Sequence, residues 1–273
     1  NGTITATEDA IVGTGSGTVT TIINNGTITT TGLGGGGTSA DAIKFGGDLT
    51  IILTNNGTIQ TFGSSGPEAV VAGGDNHIII NNGTIATEGA TADGITTGCR
   101  NCTITNNGTI ITRGSNASGI LYLNAGTNET ITITNTGAIR TQGTNSEGIL
   151  LNNEANTVVN NSGLIQVDGT AIEAIRGGGG ADTLNLLSGS QIIGIIDLNN
   201  GTDIVNISGA NNSSTLTLTD TETINLLNGN GLLVGDVVTM VDPTGQSVSS
   251  AVLSTTTFAV HNVVNQHLAH NEV

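Results

Sequence analysis

Two cysteines stand three residues apart in Cys99-Arg100-Asn101-Cys102. A C-x-x-C spacing serves a redox couple, half of a metal site or a small disulfide loop. Zinc takes four ligands at tetrahedral spacing, so this pair would need further donors. A second stretch, Gly177-Gly178-Gly179-Gly180-Ala181-Asp182-Thr183-Leu184-Asn185, matches the calcium nonapeptide G-G-x-G-x-D-x-L-x letter by letter, and Gly201-Thr202-Asp203 echoes part of it. That motif binds calcium between stacked nine-residue copies. Asp182 and Asp203 lie 21 residues apart, so calcium at Asp182 and Asp203 is the weaker reading beside a plain glycine-rich turn with an outward Asp. Of the four histidines, His77, His261, His267 and His270, none falls in an H-E-x-x-H motif, and no G-x-S-x-G places a nucleophile beside a base. The expectation is no enzyme and no cofactor. A hydrolase would need carboxylates gathered from neighbouring repeats around a cleft.

The elements that must position these residues are set by repetition, which outranks local signals when a fold is read from sequence. Glycines of N-N-G-T-I-like units recur at Gly2, Gly26, Gly57, Gly83, Gly108, Gly137 and Gly163. A second apolar marker follows each of the last four at a fixed distance: Ile95, Ile120, Ile149 and Ile175 all lie 12 residues after their glycine. In earlier units the markers are Ile11, Ile43 and Val70, at uneven offsets, and surface loops absorb such variation. Two residues after the glycine runs the column Ile4, Ile28, Ile59, Ile85, Ile110, Ile139, Ile165. Four before it runs Ile22, Leu53, Ile79, Ile104, Ile133, Val159. His77 shares a column with Cys102, six before the glycine.

Each unit thus offers three short β-branched stretches, punctuated by Gly or Asn and alternating with period two. A unit of this size cannot bury its apolar side alone, but stacking at about 4.8 Å pairs each strand with its equivalents above and below. The fold expected is all-β, a right-handed parallel β-helix. The Asn pairs, such as Asn24-Asn25 and Asn81-Asn82, would sit at a repeated corner with amides bonding from rung to rung. They and the following Gly would supply positive φ. From Ile175 the rhythm shortens, with Asp182–Leu186, Asp203–Ile207 and Glu222–Leu226 as related strands. Counting these as coils gives roughly ten rungs and a rod on the order of 50 Å.

The division expected is residues 1–241 as β-helix, with long rungs over 1–175 and shorter ones over 176–241, and residues 242–273 as a junction. In that last part Pro243 and Gly245 mark a turn, and the later apolar spacing allows a helix. The first residues already read as repeat, which suggests a piece of something longer. Aromatics make up 1% of the chain, so a thick core of large rings is not expected. With 21 acidic against 5 basic residues the formal charge is -16, which repels phosphate backbones and leaves nucleic acid a poor partner. No apolar run is long enough to span a membrane as a helix, and no signal-peptide pattern opens the chain.

Outward positions carry whatever specificity the rod has. Five residues after the glycine stand Thr31, Phe62, Glu88, Arg113, Gln142 and Asp168; three after stand Thr29, Gln60, Ala86, Ile111, Arg140 and Gln166. Phe62, Glu88, Arg113, Arg140 and Gln142 form the candidate binding surface. The loops Gly32 to Ser39, Phe62 to Glu68 and Asn124 to Glu129 are further contact candidates, and a merely solvated surface is the competing reading.

Taken together, the N-x-G-T-I rungs, the stretch Gly178 to Asn185 and the Val241-Asp242-Pro243-Thr244-Gly245 turn resemble the passenger region of a Gram-negative type V autotransporter. The resemblance implies export through the outer membrane to the cell surface or beyond, and a C-terminal translocator barrel outside this chain. It implies an extracellular setting, in which an even cysteine count favours a Cys99–Cys102 disulfide. The function it suggests is a non-enzymatic adhesin in cell-cell or host-cell attachment, with host cell-surface or matrix molecules, or self-association, as partners. A released ligand for a host receptor and a structural stalk are the alternatives.

Overall fold

Thr-Ile-x-Thr after Gly57, Gly83 and Gly108 places the Ile and the second Thr inward and the other two residues outward, the alternation of a half-buried strand. The computed structural model describes residues 2–32, 40–123, 130–152, 156–169, 173–208, 214–227 and 230–241, and these form a parallel β-solenoid. The chain winds round three sides. The first side is a sheet of eight parallel strands: Thr3–Ala6, Thr27–Thr30, Thr58–Thr61, Thr84–Thr87, Thr109–Thr112, Ala138–Thr141, Leu164–Val167 and Gln191–Ile193. Their register aligns Ile4, Ile28, Ile59, Ile85, Ile110, Ile139 and Ile165 in one column.

The second side carries the other marker. Ile11, Ile43, Val70, Ile95, Ile120, Ile149 and Ile175 are successive ladder partners. The third side stacks Ile22, Leu53, Ile79, Ile104, Ile133 and Val159, then Leu184, Val205 and Ile224. In the first two turns the second and third sides run as one bent strand, Ile11–Asn24 and Ile43–Asn55. The core is narrow and aliphatic, with Phe45 and Tyr122 the largest fully buried side chains among the described residues.

The solenoid makes about seven turns rather than ten, so its stacked length is on the order of 35 Å. The shortfall lies after Ile193. The 21 residues from Asp182 to Asp203 still hold a first-side strand, Gln191–Ile193, but in the 19 from Asp203 to Glu222 the described residues include none, and the chain passes from Ile204–Ser208 on the third side to Ser214–Thr219 on the second. Stacking then ends, because Val237–Val241 runs antiparallel to both Asn230–Val234 and Ser214–Thr217. Among the described residues there is no helix. The helical reading of residues 242–273 lies outside them.

The Asn-Asn-Gly corner forms, but its glycines are required for a different reason than positive φ. Among the described residues the left-handed non-glycine ones are Asn76, Thr91, Asn101, Asn116, Asn145, Asn199 and Asp220, and none belongs to the corner pairs Asn24-Asn25, Asn55-Asn56, Asn81-Asn82 or Asn106-Asn107. A Cβ on Gly83 would stand 2.0 Å from the Gly57 carbonyl oxygen, and one on Gly108 would stand 2.0 Å from that of Gly83. Rung-to-rung approach of backbone on backbone excludes any side chain there.

Candidate functional site

The inner Asn of each pair is buried, and its amide bonds the next. Asn24 donates to Asn55, Asn55 to Asn81, Asn81 to Asn106, Asn106 to Asn135 and Asn135 to Asn161, at 2.7–2.8 Å, and Asn161 donates to Ser190 at 2.7 Å. The outer Asn residues form a parallel exposed ladder, Asn107 to Asn82 to Asn56 to Asn25. These amides hold register, so they are scaffold and leave little free for a ligand.

At the C-x-x-C, Cys99 and Cys102 are buried and joined, with Cα atoms 5.9 Å apart. His77 is fully buried one turn away. Its backbone N–H donates to Cys102 Sγ at 2.8 Å, its Nδ1 accepts the Ile51 N–H at 3.1 Å, and its Nε2 donates to the Gly73 carbonyl at 2.7 Å. These partners put the ring proton on Nε2 and occupy both nitrogens. Phe45 packs edge-on against the ring, centroids 5.0 Å apart. His77 and Cys102 are thus brought together, as members of a side-chain column that caps backbone amides.

The same column continues into the calcium-like motif. Asp182 Oδ1 accepts the Thr157 N–H at 2.9 Å and its Oδ2 accepts that of Gly178 at 3.2 Å. Asp203 Oδ1 accepts the Asp182 N–H, and Glu222 Oε2 accepts the Asp203 N–H, both at 2.7 Å. Asp182 and Asp203 are therefore ladder neighbours facing inward, not outward turn residues. Among the described residues, no group of three or more His, Cys, Asp or Glu is arranged to hold a metal ion. Burial raises the Asp182 carboxyl to about 6 and also raises that of Asp203.

A second acidic column was not singled out from sequence. Two residues before the second-side marker stand Asp9, Asp41, Glu68, Asp93, Ser118, Glu147 and Glu173. Asp9 Oδ1 accepts the Asp41 N–H, Asp41 Oδ1 that of Glu68, and Asp93 Oδ1 that of Ser118, at 2.6–3.1 Å. Lys44 pairs with Asp41 at 3.3 Å and Arg176 with Glu147 at 3.8 Å. Burial, then the hydrogen bond and charge of Asp41, pushes Glu68 up to about 8; burial pushes Asp93 up to about 7. The signal was present as a column, but it required alignment on the second marker rather than on the glycine.

The outward residues form a continuous surface. Phe62, Glu88, Arg113, Gln142 and Asp168 each donate their backbone N–H to the preceding turn and stack along one edge of the first side. All are exposed, Phe62 at 49%. Arg113 Nη1 lies 2.6 Å from Glu88 Oε1, and Arg140 donates to Gln166 at 2.9 Å, which in turn donates to Asp168. The adjoining sheet face, Thr58, Gln60, Thr84, Ala86, Thr109, Ile111, Ala138, Arg140, Leu164 and Gln166, carries one formal charge on a chain of net charge -16. Of the loops, Phe62 to Glu68 is fixed by Thr61 Oγ1 donating to the Pro67 carbonyl at 2.8 Å. Residues 33–39 and 124–129 lie outside the described residues.

No family model matches the chain, and neither a curated protein nor a solved structure matches it significantly.

Proposed function

We propose that this rod is the passenger region of an autotransporter, carried on or released from a Gram-negative cell surface, and that it acts without catalysis as an adhesin. The observation that supports this reading is the exposed ladder Phe62, Glu88, Arg113, Gln142 and Asp168 beside a nearly uncharged sheet face. A scaffold that repeats so closely presents differing side chains at one column, where many weak contacts add along a line. The buried carboxylates give no comparable support to hydrolysis, since they accept backbone N–H groups of the neighbouring turn.

The test couples the purified chain to inert beads and measures retention on host cells, matrix-coated wells and beads carrying the same chain. Binding that falls at least about tenfold in a Phe62→Ala, Glu88→Ala, Arg113→Ala variant with unchanged thermal stability supports the assignment; a tenfold loss is about 1.4 kcal/mol, within reach of a few contact residues. Binding unaffected by that variant places the contact surface elsewhere. Failure to bind any of the three surfaces argues for a stalk.

A further inference from the structure

From Gly177 to Val273 the chain contains no Lys and no Arg. Within that stretch three carboxylates, Asp182, Asp203 and Glu222, stand on successive turns of the third side, one directly over the next. Asp182 and Asp203 are 2% and 0% exposed, while Glu222 is exposed. The charged groups acting on Asp182 and Asp203 come from the stack itself: Asp203 on Asp182, and Glu222 on Asp203. The turn on the other side contributes the neutral Thr157. Buried like charges on adjacent rungs need a positive partner, and no basic side chain of this region supplies one.

The oxygens decide what that partner is. Both oxygens of Asp182 and one each of Asp203 and Glu222 accept backbone N–H groups. Asp203 Oδ2 is left buried without a hydrogen-bond partner. Calcium takes about six to eight oxygen ligands, far more than one free buried oxygen provides, whereas a proton needs one. We infer that the Asp182–Asp203–Glu222 stack is a proton-binding clasp: a proton from solution neutralises the buried pair and holds the last turns of the third side in register, and its loss loosens them. The inference is independent of what the exposed face binds.

Both buried groups are shifted upward, Asp182 to about 6 from an ordinary 3.8. A carboxyl that holds its proton more tightly when closed stabilises the closed state fully below the ordinary value. That contribution is lost as pH rises through the closed-state value. The experiment is hydrogen exchange, read by mass spectrometry and corrected for intrinsic rate, on strands Thr183–Leu186, Ile204–Ser208 and Thr223–Leu227 between about pH 4 and about pH 7. Protection should fall as pH rises, by up to about a hundredfold for a shift of roughly two units. Asp203→Asn and Asp182→Asn should each flatten the profile there, while leaving unchanged the profile of strands Ile78–Asn81 and Thr103–Asn106, which Asp93 and Glu68 govern instead.

Protection that grows with pH, or a profile left unchanged by both variants, overturns the clasp. So does collapse of both variants at about pH 4, where an amide replaces an already neutral acid. If millimolar calcium chloride at about pH 7 restores protection on these strands and Asp203→Asn abolishes that response, the ligand is a metal ion and the proton assignment fails.

Discussion

Replacing Asn106 by alanine cuts the buried amide ladder at its centre. Asn106 Oδ1 accepts from Asn81 at 2.8 Å, and its Nδ2 donates to Asn135 Oδ1 at 2.7 Å and to the Ala138 carbonyl at 3.2 Å. Asn81, Asn106 and Asn135 are each 0% exposed, so water cannot replace what is removed. The substitution leaves an Asn81 amide hydrogen and the Asn135 carbonyl oxygen without those partners. At about 1–3 kcal/mol for each buried group left unpaired, the expected loss is about 4 kcal/mol. Asn107 is the control: it sits one residue on, bonds Asn82 at 2.9 Å in the same manner, and belongs to the exposed ladder. Water substitutes there, and Asn107→Ala should change stability by less than about 1 kcal/mol. Because a solenoid opens turn by turn, the assay is hydrogen exchange on strands Ile78–Asn81, Thr103–Asn106 and Thr130–Asn135, backed by urea unfolding. Asn106→Ala should speed exchange on these strands by about a thousandfold, and Asn107→Ala by less than about tenfold. Equal effects of the two variants, or an Asn106→Ala loss under about 1 kcal/mol, would refute the claim that burial gives the inner ladder its worth.

Asp93 predicts a stability that rises with acid: its carboxyl is raised from 3.8 to about 7, so its contribution is present below the ordinary value and lost as pH rises through about 7. Roughly three units at about 1.4 kcal/mol each give an upper figure of about 4 kcal/mol between about pH 4 and about pH 8, and Asp93→Asn should flatten that part of a melting-temperature profile. Gly83→Ala places a Cβ 2.0 Å from a backbone oxygen and should cost about 3 kcal/mol or prevent folding, whereas Gly98→Ala, with nothing within 4 Å, should be close to neutral in the same unfolding assay. The exposed Glu88–Arg113 pair should be worth less than about 1 kcal/mol, so Arg113→Ala leaves the melting temperature nearly unchanged while weakening attachment in the bead assay.

Much of this architecture is legible because a solenoid turns geometry into spacing. A column found by counting from Gly83 or Gly108 is a physical ladder, and Ile95, Ile120 and Ile149 are hydrogen-bonded neighbours because each lies 12 residues past its glycine. Spacing does not report why a residue type is needed. N-G suggested positive φ at the corner, yet at Gly57, Gly83 and Gly108 larger types are excluded by the backbone of the preceding turn. Such a constraint arises only when two copies stack, and one unit read alone cannot display it. The turn count failed for a related reason. Asp203–Ile207 and Glu222–Leu226 carry the third-side pattern, but a strand of one side does not guarantee that the other two sides are present.

The acidic column adds a harder case. Asp41, Glu68 and Asp93 sit at unequal distances from their glycines, and in isolation each reads as a solvated loop residue. Aligned on Ile43, Val70 and Ile95 they fall in one column, but only the fold shows their side chains accepting the amides of adjoining turns. Apolar columns of Ile and Val explain why the turns stack, but an aliphatic strand can slide against its neighbour with modest loss. A buried amide or carboxylate cannot slide, because one step of register leaves it unpaired. The inner Asn ladder and the two carboxylate columns therefore fix which residue meets which, along three separate lines of the rod. That division of labour leaves the outward column free to vary, since Phe62, Glu88, Arg113 and Gln142 are held in line by backbone bonds that do not depend on their side chains.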